Sequence, residues 1–348
     1  MNYRGEIGSE YWKNSVNRKS IEFFLTGRTA LEYIIQDILS NHQITSVRMP
    51  SYCCHTMIEP FTRHGLQVEF YDVYFENQKL KADIPEAKKN QILFYISYFG
   101  FYNEFEEKIH GIRNGYEVVI EDTTHSFLRE KVHKDVDYTF TSYRKWNGFT
   151  GIATASKEHG EFKVKIDNKF NIHYDALREE AFLEKSEFMQ GNTEDKDSFL
   201  RKFGEAEEHL ESNYLEYRPS YDSLRQFAVT DWETIAQIRR ENAKVLIEGL
   251  SRVKEIEMMF DKVRAEDAPL FVPIIVKGQR DGLRRFLIER DIYCPVHWPL
   301  SVLHEGISEK AKSLYQSELS IICDQRYGSE QMQIIIETIE KYYRSNDV

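Results

Sequence analysis

The chain has 348 residues, of which 41% are hydrophobic and 30% are charged, a composition typical of a globular protein with a full core. Its formal net charge is −11, and without a block of basic residues it is a poor candidate for binding nucleic acid or an anionic membrane. No apolar run approaches the roughly 20 residues that span a bilayer, and the N-terminus lacks the apolar core of a signal peptide, so we expect a cytoplasmic protein.

The first part of the chain, to about residue 155, alternates between strand and helix patterns. Apolar residues at helical spacing predict a helix over Arg28–Leu39. Further helices are predicted at Met57–His64 and Glu104–Asn114, and strands at Val47–Pro50, Val68–Val73, Ile92–Phe99, Val118–Glu121, Tyr138–Tyr143 and Ile152–Ser156. This alternation predicts an α/β fold with a mostly parallel, doubly wound sheet and helices on both sides.

The rest of the chain divides into a charged helical stretch and a smaller α/β unit. Residues 157–250 lack strand patterns; we interpret their acidic part as a solvated helix face and Ile235–Leu250 as a linking helix. The smaller unit has predicted strands at Leu270–Val276 and Leu319–Cys323, predicted helices at Arg280–Arg290 and Ser329–Tyr343, and an extended segment at Ile292–Pro299. We therefore expect a large domain over residues 1–250 and a small C-terminal domain over 251–348.

A possible anion site stands where the first helix begins, at Gly27-Arg28-Thr29. Free backbone amides and the positive end of the helix dipole suit a phosphate there. Gly27 permits a close approach, and Thr29 adds a hydroxyl donor. The alternative is that Thr26 or Thr29 only caps the helix.

Two predicted strands end in groups that would complement a phosphate site. Asp122 lies at the end of one strand, with His125 three residues later, and Ser142 and Lys145 follow the other. Ligands of parallel sheets bind at the carboxyl ends of the strands, so these side chains are expected to lie together. Taken singly, Asp122 fits a helix cap and Lys145 fits an ordinary surface lysine.

Together these groups match the needs of an enzyme that uses pyridoxal phosphate (PLP). PLP requires an anion site for its phosphate, a carboxylate that keeps the pyridinium nitrogen protonated, and a lysine for the Schiff base. Ser142 would add to the phosphate site, Asp122 would face the ring nitrogen, and His125 would reach the phenolic oxygen. The order of the three pieces and their places at strand ends favour this hypothesis over the separate alternatives.

The segment Cys53-Cys54-His55 contains metal-ligand residue types, but we do not expect a metal site. Adjacent residues on a strand point to opposite faces and do not readily converge on one ion. The four cysteines also include no Cys-x-x-Cys spacing. Buried, reduced thiols are the simpler interpretation.

The chain resembles the DegT/StrS (DegT/DnrJ/EryC1/StrS) family of PLP-dependent nucleotide-sugar aminotransferases, which have the fold-type I architecture. The resemblance extends over nearly the whole chain. It is carried by the segments Gly8–Trp12, Gly27–Leu31, Pro50–Tyr52, Gly65–Asp72, Ile120–His125, Ser142–Lys145, Tyr217–Ser220 and Val296–Pro299.

The resemblance implies a function and a set of roles. The protein would carry PLP as an internal aldimine on Lys145 and transfer an amino group from glutamate to a keto group of a nucleotide-linked sugar, for polysaccharide biosynthesis. Asp122 would be the second catalytic residue, paired with the pyridine nitrogen, and His125 would touch the ring oxygen. The family is dimeric, so we expect a homodimer in which Arg218 reaches the partner's cofactor. His297 is expected on the substrate side.

The expected cofactor-binding residues are Gly27, Arg28, Thr29, Cys54, Asp122, His125, Ser142, Lys145 and Arg218. The candidates for holding the diphosphate of the nucleotide, which the sequence does not rank, are Arg28, Arg218, Arg239, Arg240 and Arg326.

The chain departs from the family pattern at three positions. Cys54 stands where members carry an aromatic residue that stacks on the cofactor. Three alternatives stay open here: Tyr52 stacks on the ring, His55 does, or the ring has no stacked aromatic. Ser97 replaces a histidine of many members, and Glu216 replaces an asparagine. These departures leave open a degenerate relative that binds sugar nucleotides without catalysis. A PLP-dependent sugar dehydratase or lyase also stays open, although sugar dehydratases of the family usually have a histidine in place of the lysine.

Overall fold

The computed structural model describes residues 19–129, 135–167, 169–215 and 217–346. Its first part alternates strands and helices, as the sequence predicts. The elements up to residue 157 are β1 (Ser20–Phe24), α1 (Gly27–Asn41), β2 (Ser46–Pro50), α2 (His55–Arg63), β3 (Gln67–Tyr71), β4 (Val73–Glu76), β5 (Lys79–Ala82), β6 (Gln91–Ile96), α3 (Glu104–Ile112), β7 (Val118–Asp122), β8 (Tyr138–Ser142) and β9 (Ala153–Lys157). The strand β1 and, apart from Val73, the hairpin β4–β5 lie outside the predicted elements, because short and partly exposed strands have a weak sequence pattern.

Seven strands form one large sheet in the order β1-β9-β8-β7-β6-β2-β3. The strands β8, β7, β6, β2 and β3 run parallel to one another, whereas β9 runs antiparallel to its two neighbours, β8 and β1. Every residue of β6, β7 and β8 is buried, as in parallel strands that are covered on both faces. The prediction of a mostly parallel sheet in an α/β fold is confirmed.

The strand β6 is shorter than predicted and ends at Ile96 rather than Phe99. Phe99 and Gly100 have positive φ angles of 57° and 79°, so the chain turns there. A Cβ at Gly100 would lie 1.9 Å from the carbonyl oxygen of Ala268. Glycine is therefore required at this turn, where the backbone of the large sheet packs directly against the C-terminal part of the chain.

The carboxyl ends of β7 and β8 meet the N-terminus of α1 at one edge of the large sheet. In the parallel pairing of the two strands, Asp122 lies beside Phe140, two residues before β8 ends at Ser142. A Cβ at Gly27 would lie 3.2 Å from the Cβ of Ser142, so α1 begins directly against the end of β8. This is the edge at which parallel sheets bind ligands.

A charged, mainly helical region follows the large sheet. It contains β10 (Lys169–Phe170), α4 (Ile172–Met189), α5 (Asp197–Ser212), β11 (Tyr217–Arg218), α6 (Tyr221–Val229) and α7 (Trp232–Leu250). The helices α4 and α5 pack against each other, with aromatic contacts of Phe203 to Phe182 and of Phe188 to Phe199. The predicted linking helix corresponds to the C-terminal part of α7.

The C-terminal part is a smaller α/β unit. It consists of β12 (Ile256–Met258), β13 (Phe271–Val276), α8 (Arg280–Ile288), α9 (Glu309–Ser317), β14 (Glu318–Ile322) and α10 (Ser329–Asn346). Its antiparallel strands have the order β12-β13-β14, and one hydrophobic cluster includes buried residues of both sheets, such as Ile120 and Ile274. The division into domains at residue 250 stays a prediction. No helix among the described residues is long and apolar enough to cross a bilayer.

Candidate active site

Two cavities meet at the side chain of Lys145. The first cavity, of about 150 Å³, lies at the carboxyl edge of the large sheet, where the N-terminus of α1, the ends of β7 and β8, and α5 surround it. The second cavity, of about 410 Å³, is bordered mainly by the C-terminal unit and by α7. Of the residues that line them, Lys145 alone borders both.

The N-terminus of α1 forms a cradle for an anion in the first cavity. The Thr26 hydroxyl caps the helix by accepting a hydrogen bond from the Thr29 amide at 3.1 Å. The amides of Gly27 and Arg28 belong to the first turn and have no partner within the helix. The Ser142 hydroxyl borders the same space, and no described residue forms a hydrogen bond with it. The dipole of this 15-residue helix adds positive potential.

Asp122 places a buried carboxyl group in the first cavity. The residue is 6% exposed, and its Oδ1 accepts a hydrogen bond from the Thr124 amide at 2.8 Å. Burial raises the pKa of Asp122 to about 6, although the hydrogen bonds from Thr124 and the charge of Lys145 act in the opposite direction. A cationic group of a ligand beside this carboxyl would favour its ionised form.

His125 and Trp298 form an aromatic wall of the first cavity. Their rings are stacked, with centroids 5.3 Å apart and an interplanar angle of 25°. Burial, and then the charge of Lys145, lower the pKa of His125 to about 3, so its ring is neutral. The buried Nδ1 of His125 has no hydrogen-bond partner among the described residues. Buried polar atoms are normally paired, which makes this nitrogen a candidate contact for a ligand.

Lys145 follows the end of β8 within a short 3-10 turn. Burial in the surrounding protein, followed by the positive charge of Arg144, lowers the pKa of the Lys145 amine. The side chain keeps an accessible surface where it borders the two cavities, and no described residue accepts a hydrogen bond from it. A lysine amine with a lowered pKa has a larger neutral fraction, which can act as a nucleophile or a base.

The helix α5 brings two carboxylates, four residues apart, to the first cavity. Glu207 accepts hydrogen bonds from the Arg144 guanidinium at 2.6 and 3.3 Å. Glu211 accepts one from Arg28 at 2.8 Å, and Arg28 is also paired with Glu59 at 2.9 Å. Burial opposes the ionisation of Glu207, but the charge of Arg144 contributes to holding its pKa below the usual value. Both arginines at this cavity thus have carboxylate partners.

The structure brings most of the predicted site residues to the first cavity. Its lining includes Gly27, Arg28, Cys54, Asp122, His125, Ser142 and Lys145. The three that line neither cavity are Thr29, Arg218 and His297.

Thr29 and Arg218 have other partners within the chain. The Thr29 hydroxyl donates a hydrogen bond to the carbonyl oxygen of Tyr214, so it holds the loop after α5 instead of facing the cavity. Arg218 lies on β11 and donates to the carboxylate of Glu22 at 3.3 Å. Its expected role in the cofactor site of a partner subunit stays a prediction.

His297 lies behind the aromatic wall. Its Nδ1 is 2.8 Å from the Ser320 hydroxyl, and its amide donates to the buried carboxyl group of Glu318 at 2.8 Å. The His297 ring makes an edge-to-face contact with His125 at 5.1 Å between centroids. These contacts give His297 a supporting position, and its predicted contact with substrate stays a prediction.

One residue of the aromatic wall of the first cavity, Trp298, was not singled out by the sequence interpretation. Cys54 borders this cavity, whereas Tyr52 and His55 do not. Tyr52 is fully buried and packs against Trp298 at 5.2 Å between ring centroids. Trp298 stacks on His125 in this wall. The sequence could have indicated it, because Trp298 directly follows His297 in a segment that the family resemblance connects with the site.

The sequence interpretation also missed three charged residues that line the first cavity: Arg144, Glu207 and Glu211. Arg144 directly precedes Lys145, a position that could have indicated its proximity. Glu207 and Glu211 have the i, i+4 spacing of one helix face. Their side chains are about half exposed, as expected for a solvated face, and they also line the cavity. The predicted family segment Gly8–Trp12 and the departure at Glu216 lie outside the described residues.

Comparison with known proteins gives matches among solved structures. No protein-family model and no curated sequence matches the chain. Spr1654 of Streptococcus pneumoniae, described as a sugar aminotransferase and solved in its PLP form, aligns over 93% of this chain and 87% of its own with 14% identity and a TM-score of 0.65. The aminotransferase PseC of Helicobacter pylori, involved in the biosynthesis of pseudaminic acid, aligns over 93% and 87% with 12% identity and a TM-score of 0.63.

A dehydratase has a similar structure. GDP-4-keto-6-deoxy-D-mannose-3-dehydratase of E. coli, solved with bound hydrated PLP, aligns over 92% of this chain and 87% of its own, with 14% identity and a TM-score of 0.63. At these identities the likeness shows a shared fold. The chain has the fold-type I architecture of PLP-dependent transferases, and the predicted fold is confirmed.

Proposed function

We propose that this chain is a PLP-dependent aminotransferase that transfers an amino group from glutamate to a keto group of a nucleotide-linked sugar. One observation carries the proposal: Lys145, Asp122 and the N-terminus of α1 border the same cavity at the carboxyl edge of the large sheet. The fold shared with sugar aminotransferases supports the same function. The proposed substrate class rests on these neighbours and on the family resemblance, because the residues of the cavity account only for binding of the cofactor.

The residues of the first cavity fit PLP. The amides of Gly27 and Arg28 and the hydroxyl of Ser142 would bind its phosphate. The carboxylate of Asp122 would pair with the ring nitrogen, and the neutral ring of His125 would contact the ring from the side of the aromatic wall. When bound, PLP supplies an electron-withdrawing ring that acidifies the C–H bond next to a bound amino group.

The protein's own contribution to the chemistry centres on the Nζ atom of Lys145. Because burial and Arg144 lower the pKa of this amine, a larger fraction of it is neutral near pH 7 and can accept a proton. In the proposed reaction Lys145 would take a proton from the α-carbon of the amino donor and deliver it to a carbon of the cofactor. Asp122 keeps a negative charge beside the ring nitrogen throughout, and the ion pair of Glu207 with Arg144 holds that guanidinium beside Lys145.

Sugar dehydration is the second candidate function, because a dehydratase with this fold aligns with the chain as well as an aminotransferase does. Lys145 favours transamination, since a lysine at this position can move the proton between two carbons. The two functions differ in their products: transamination adds an amino group to the sugar, whereas dehydration removes water. The mass of the sugar product therefore separates them.

The proposed enzyme works as a homodimer, as the family resemblance implies, with Arg218 directed to the site of the partner subunit. The cytoplasmic location inferred from composition stays a prediction. Analytical ultracentrifugation at several protein concentrations would test the dimer, and a monomer with full activity would contradict the role given to Arg218.

The proposed function is tested by visible absorbance after addition of PLP, before and after reduction with borohydride. We expect a visible band in the wild type, loss of this band in Lys145→Ala, and reduced cofactor on the peptide that contains Lys145. The control is Lys165→Ala, which changes an exposed lysine outside both cavities and should keep the band. Glutamate should then remove the band and release 2-oxoglutarate.

Two results would contradict the proposal. If neither the wild type nor the control develops a band, the chain does not bind PLP through a lysine, and a non-catalytic binding protein becomes the better hypothesis. If the band persists in Lys145→Ala, another lysine holds the cofactor and the assignment of Lys145 is wrong.

A further inference from the structure

A buried carboxyl group contacts His297 behind the aromatic wall of the first cavity. It belongs to Glu318, the first residue of β14, which is 0% exposed. Successive side chains of a strand point to opposite faces, so Glu318 and Ser320 share one face of β14. The Ser320 amide donates to the carbonyl oxygen of Pro295 at 3.0 Å, which holds the segment before His297 beside this strand. Two separate segments of the C-terminal unit thus bring the carboxyl group and the imidazole together.

Glu318, Ser320 and His297 form a continuous chain of hydrogen bonds. The Ser320 hydroxyl donates to Oε1 of Glu318 at 2.5 Å, and the same hydroxyl oxygen is 2.8 Å from Nδ1 of His297. The other carboxyl oxygen, Oε2, accepts a hydrogen bond from the backbone amide of His297 at 2.8 Å. The Ser320 hydroxyl therefore links Oε1 to the imidazole ring, whose Nδ1 is 4.0 Å from that oxygen.

The direction of these hydrogen bonds depends on where one proton lies. When Glu318 is ionised, both of its oxygens are acceptors, so the Ser320 O–H points to the carboxylate and the hydroxyl oxygen accepts from Nδ1–H of His297. When Glu318 is protonated, its O–H is the donor, the Ser320 O–H turns to Nδ1, and the ring carries its proton on Nε2. The change moves one proton from Nδ1 to Ser320 Oγ, another from Ser320 Oγ to Oε1, and takes up one proton at Nε2.

Glu318 changes its protonation near neutral pH. Burial raises its pKa to about 7, against the hydrogen bonds from Ser320 and from the His297 amide. The charge of Arg280 on α8 and the hydroxyl of Tyr52 act in the same direction as these bonds. The Arg280 guanidinium is held nearby, because it donates to the backbone carbonyl oxygen of Glu318 at 2.7 Å. Both protonation states of the carboxyl group are therefore populated between about pH 6 and 8.

The other ionisable groups close to Glu318 keep their charge in this range. Burial, followed by the charges of His125 and Lys145, lowers the pKa of His297 well below its ordinary value, so its ring is neutral. Burial raises the pKa of the Cys294 thiol to about 12, and burial also raises the pKa of the Tyr52 hydroxyl. Glu318 is thus the group of this chain of hydrogen bonds that takes up a proton near neutral pH.

His297 connects the chain of hydrogen bonds to the proposed cofactor site. Its ring meets the ring of His125 at 5.1 Å between centroids and at an interplanar angle of 78°. The two tautomers of a neutral imidazole exchange the donor and the acceptor edge of the ring, so the position of the proton on His297 changes the field at His125. Because the buried Nδ1 of His125 has no partner among the described residues, such a change reaches a ligand of the first cavity.

We propose that Glu318 and Ser320 form a proton relay that determines which ring nitrogen of His297 carries the proton, and that His297 thereby positions His125 beside the ring of the cofactor. Glu318, Ser320 and His297 are positioning residues, because none of them lines either cavity. The inference rests on the proposed function for the identity of the ligand, PLP. The position of the proton on His297 can be measured without that ligand.

NMR of the ring nitrogens, in the cofactor-free full chain with isotope-labelled histidine, would report the tautomer of each neutral ring. The signals of His297 are assigned by their absence in His297→Gln. The test variant is Glu318→Gln, in which the new amide oxygen accepts from the His297 amide and the new NH2 group donates to Ser320. The Ser320 O–H then points to Nδ1, so this variant keeps the relay in the arrangement of the protonated carboxyl group.

We expect His297 to carry its proton on Nδ1 in the wild type at pH 8.5, and on Nε2 in Glu318→Gln at the same pH. Lowering the pH to 5.5 should move the wild-type signals to those of Glu318→Gln, whose own signals should stay in place. The matched control is Glu309→Gln, at an exposed position of α9, which should behave as the wild type does at both pH values.

A second variant, Ser320→Ala, tests whether the hydroxyl transmits the effect. Without this hydroxyl the carboxyl group and Nδ1 have no link, so adding Glu318→Gln to Ser320→Ala should leave the His297 signals unchanged. Titration of the visible band at pH 8.5 then tests the connection to the cofactor. We expect PLP to bind about threefold to tenfold more weakly to Glu318→Gln and to Ser320→Ala, and with unchanged affinity to Glu309→Gln and to Ser313→Ala, at another exposed position of α9.

The proposal is overturned if His297 has the same tautomer in the wild type and in Glu318→Gln, or if Glu318→Gln has the same effect with and without the Ser320 hydroxyl. Equal PLP affinity of the wild type and Glu318→Gln would overturn the positioning of His125, even with a changed tautomer. Failure of the proposed function would look different. In that case no variant develops a lysine-bound cofactor band, while the tautomer of His297 still responds to Glu318→Gln.

Discussion

The two cavities on either side of Lys145 differ in how their charges are balanced. In the first, Arg28 and Arg144 are each paired with a carboxylate from α5. In the second, Arg239 and Arg284 have no described carboxylate partner. A balanced site suits a ligand that carries both a cationic ring nitrogen and an anionic group. The difference therefore favours the first cavity, and not the second, as the place of the proposed cofactor.

The charge balance of the first cavity is tested most strongly at Asp122, where we expect the largest change in stability and activity. Burial raises its pKa from the ordinary value of 3.8 to about 6. The folded protein therefore favours the protonated form of Asp122 more than the unfolded chain does. This difference stabilises the fold below about pH 4, and the stabilisation is lost as the pH rises through about 6. In the cofactor-free protein we expect Asp122→Asn to raise the free energy of unfolding at pH 7.5 by up to about 3 kcal/mol, since one pKa unit corresponds to about 1.4 kcal/mol.

Urea denaturation of the cofactor-free protein at pH 4.5 and 7.5 would measure this effect. The gain of Asp122→Asn should be small at pH 4.5, and the control Asp261→Asn, at an exposed position, should behave as the wild type does at both values. The same variant should lose most of its transaminase activity, because an amide does not hold the ring nitrogen protonated. An equal stability change at both pH values would mean that the carboxyl group is not the cause.

A middle-sized effect is expected from Gly27→Ala in the anion cradle. The added methyl group would lie 3.2 Å from the Cβ of Ser142, a contact tight enough to shift the start of α1 from the end of β8. We expect the affinity for PLP to fall about tenfold, which corresponds to about 1.4 kcal/mol, as measured by titration of the visible band. Gly204→Ala is the control, since a Cβ there meets nothing within 4 Å. Unchanged affinity in Gly27→Ala would remove Gly27 from the phosphate site.

The smallest effect is a gain expected from Glu211→Gln. This carboxylate neutralises Arg28 at the cradle, and its removal makes the first cavity more like the second. Because Glu211 is about half exposed, the ion pair is weak, and we expect PLP to bind only two- to fivefold more tightly. Glu208→Gln, an exposed neighbour outside the cavity, should show no gain. Weaker binding in Glu211→Gln would instead mean that this carboxylate holds Arg28 in its binding position.

The predictions from sequence were best where a residue's role depends on its local position in an element. Strand ends are visible as breaks in apolar runs, so the sequence located Asp122 and Ser142 at the edge where ligands bind. They were weaker where a side chain chooses between partners. Thr29 and Arg218 lie in the predicted segments, but their hydrogen bonds go to Tyr214 and Glu22, and no local pattern reports such distant partners.

The sequence by itself determined the α/β architecture, the order of anion cradle, carboxylate and lysine along the chain, and the need for a site at the strand ends, because periodicity and element boundaries are local properties. Only the tertiary structure decided what surrounds that site. The packing of α5 placed Glu207 and Glu211 beside the cradle, and the C-terminal unit placed Trp298 and Arg284 on either side of Lys145. These meetings depend on how distant elements pack, a property that no single stretch of sequence contains.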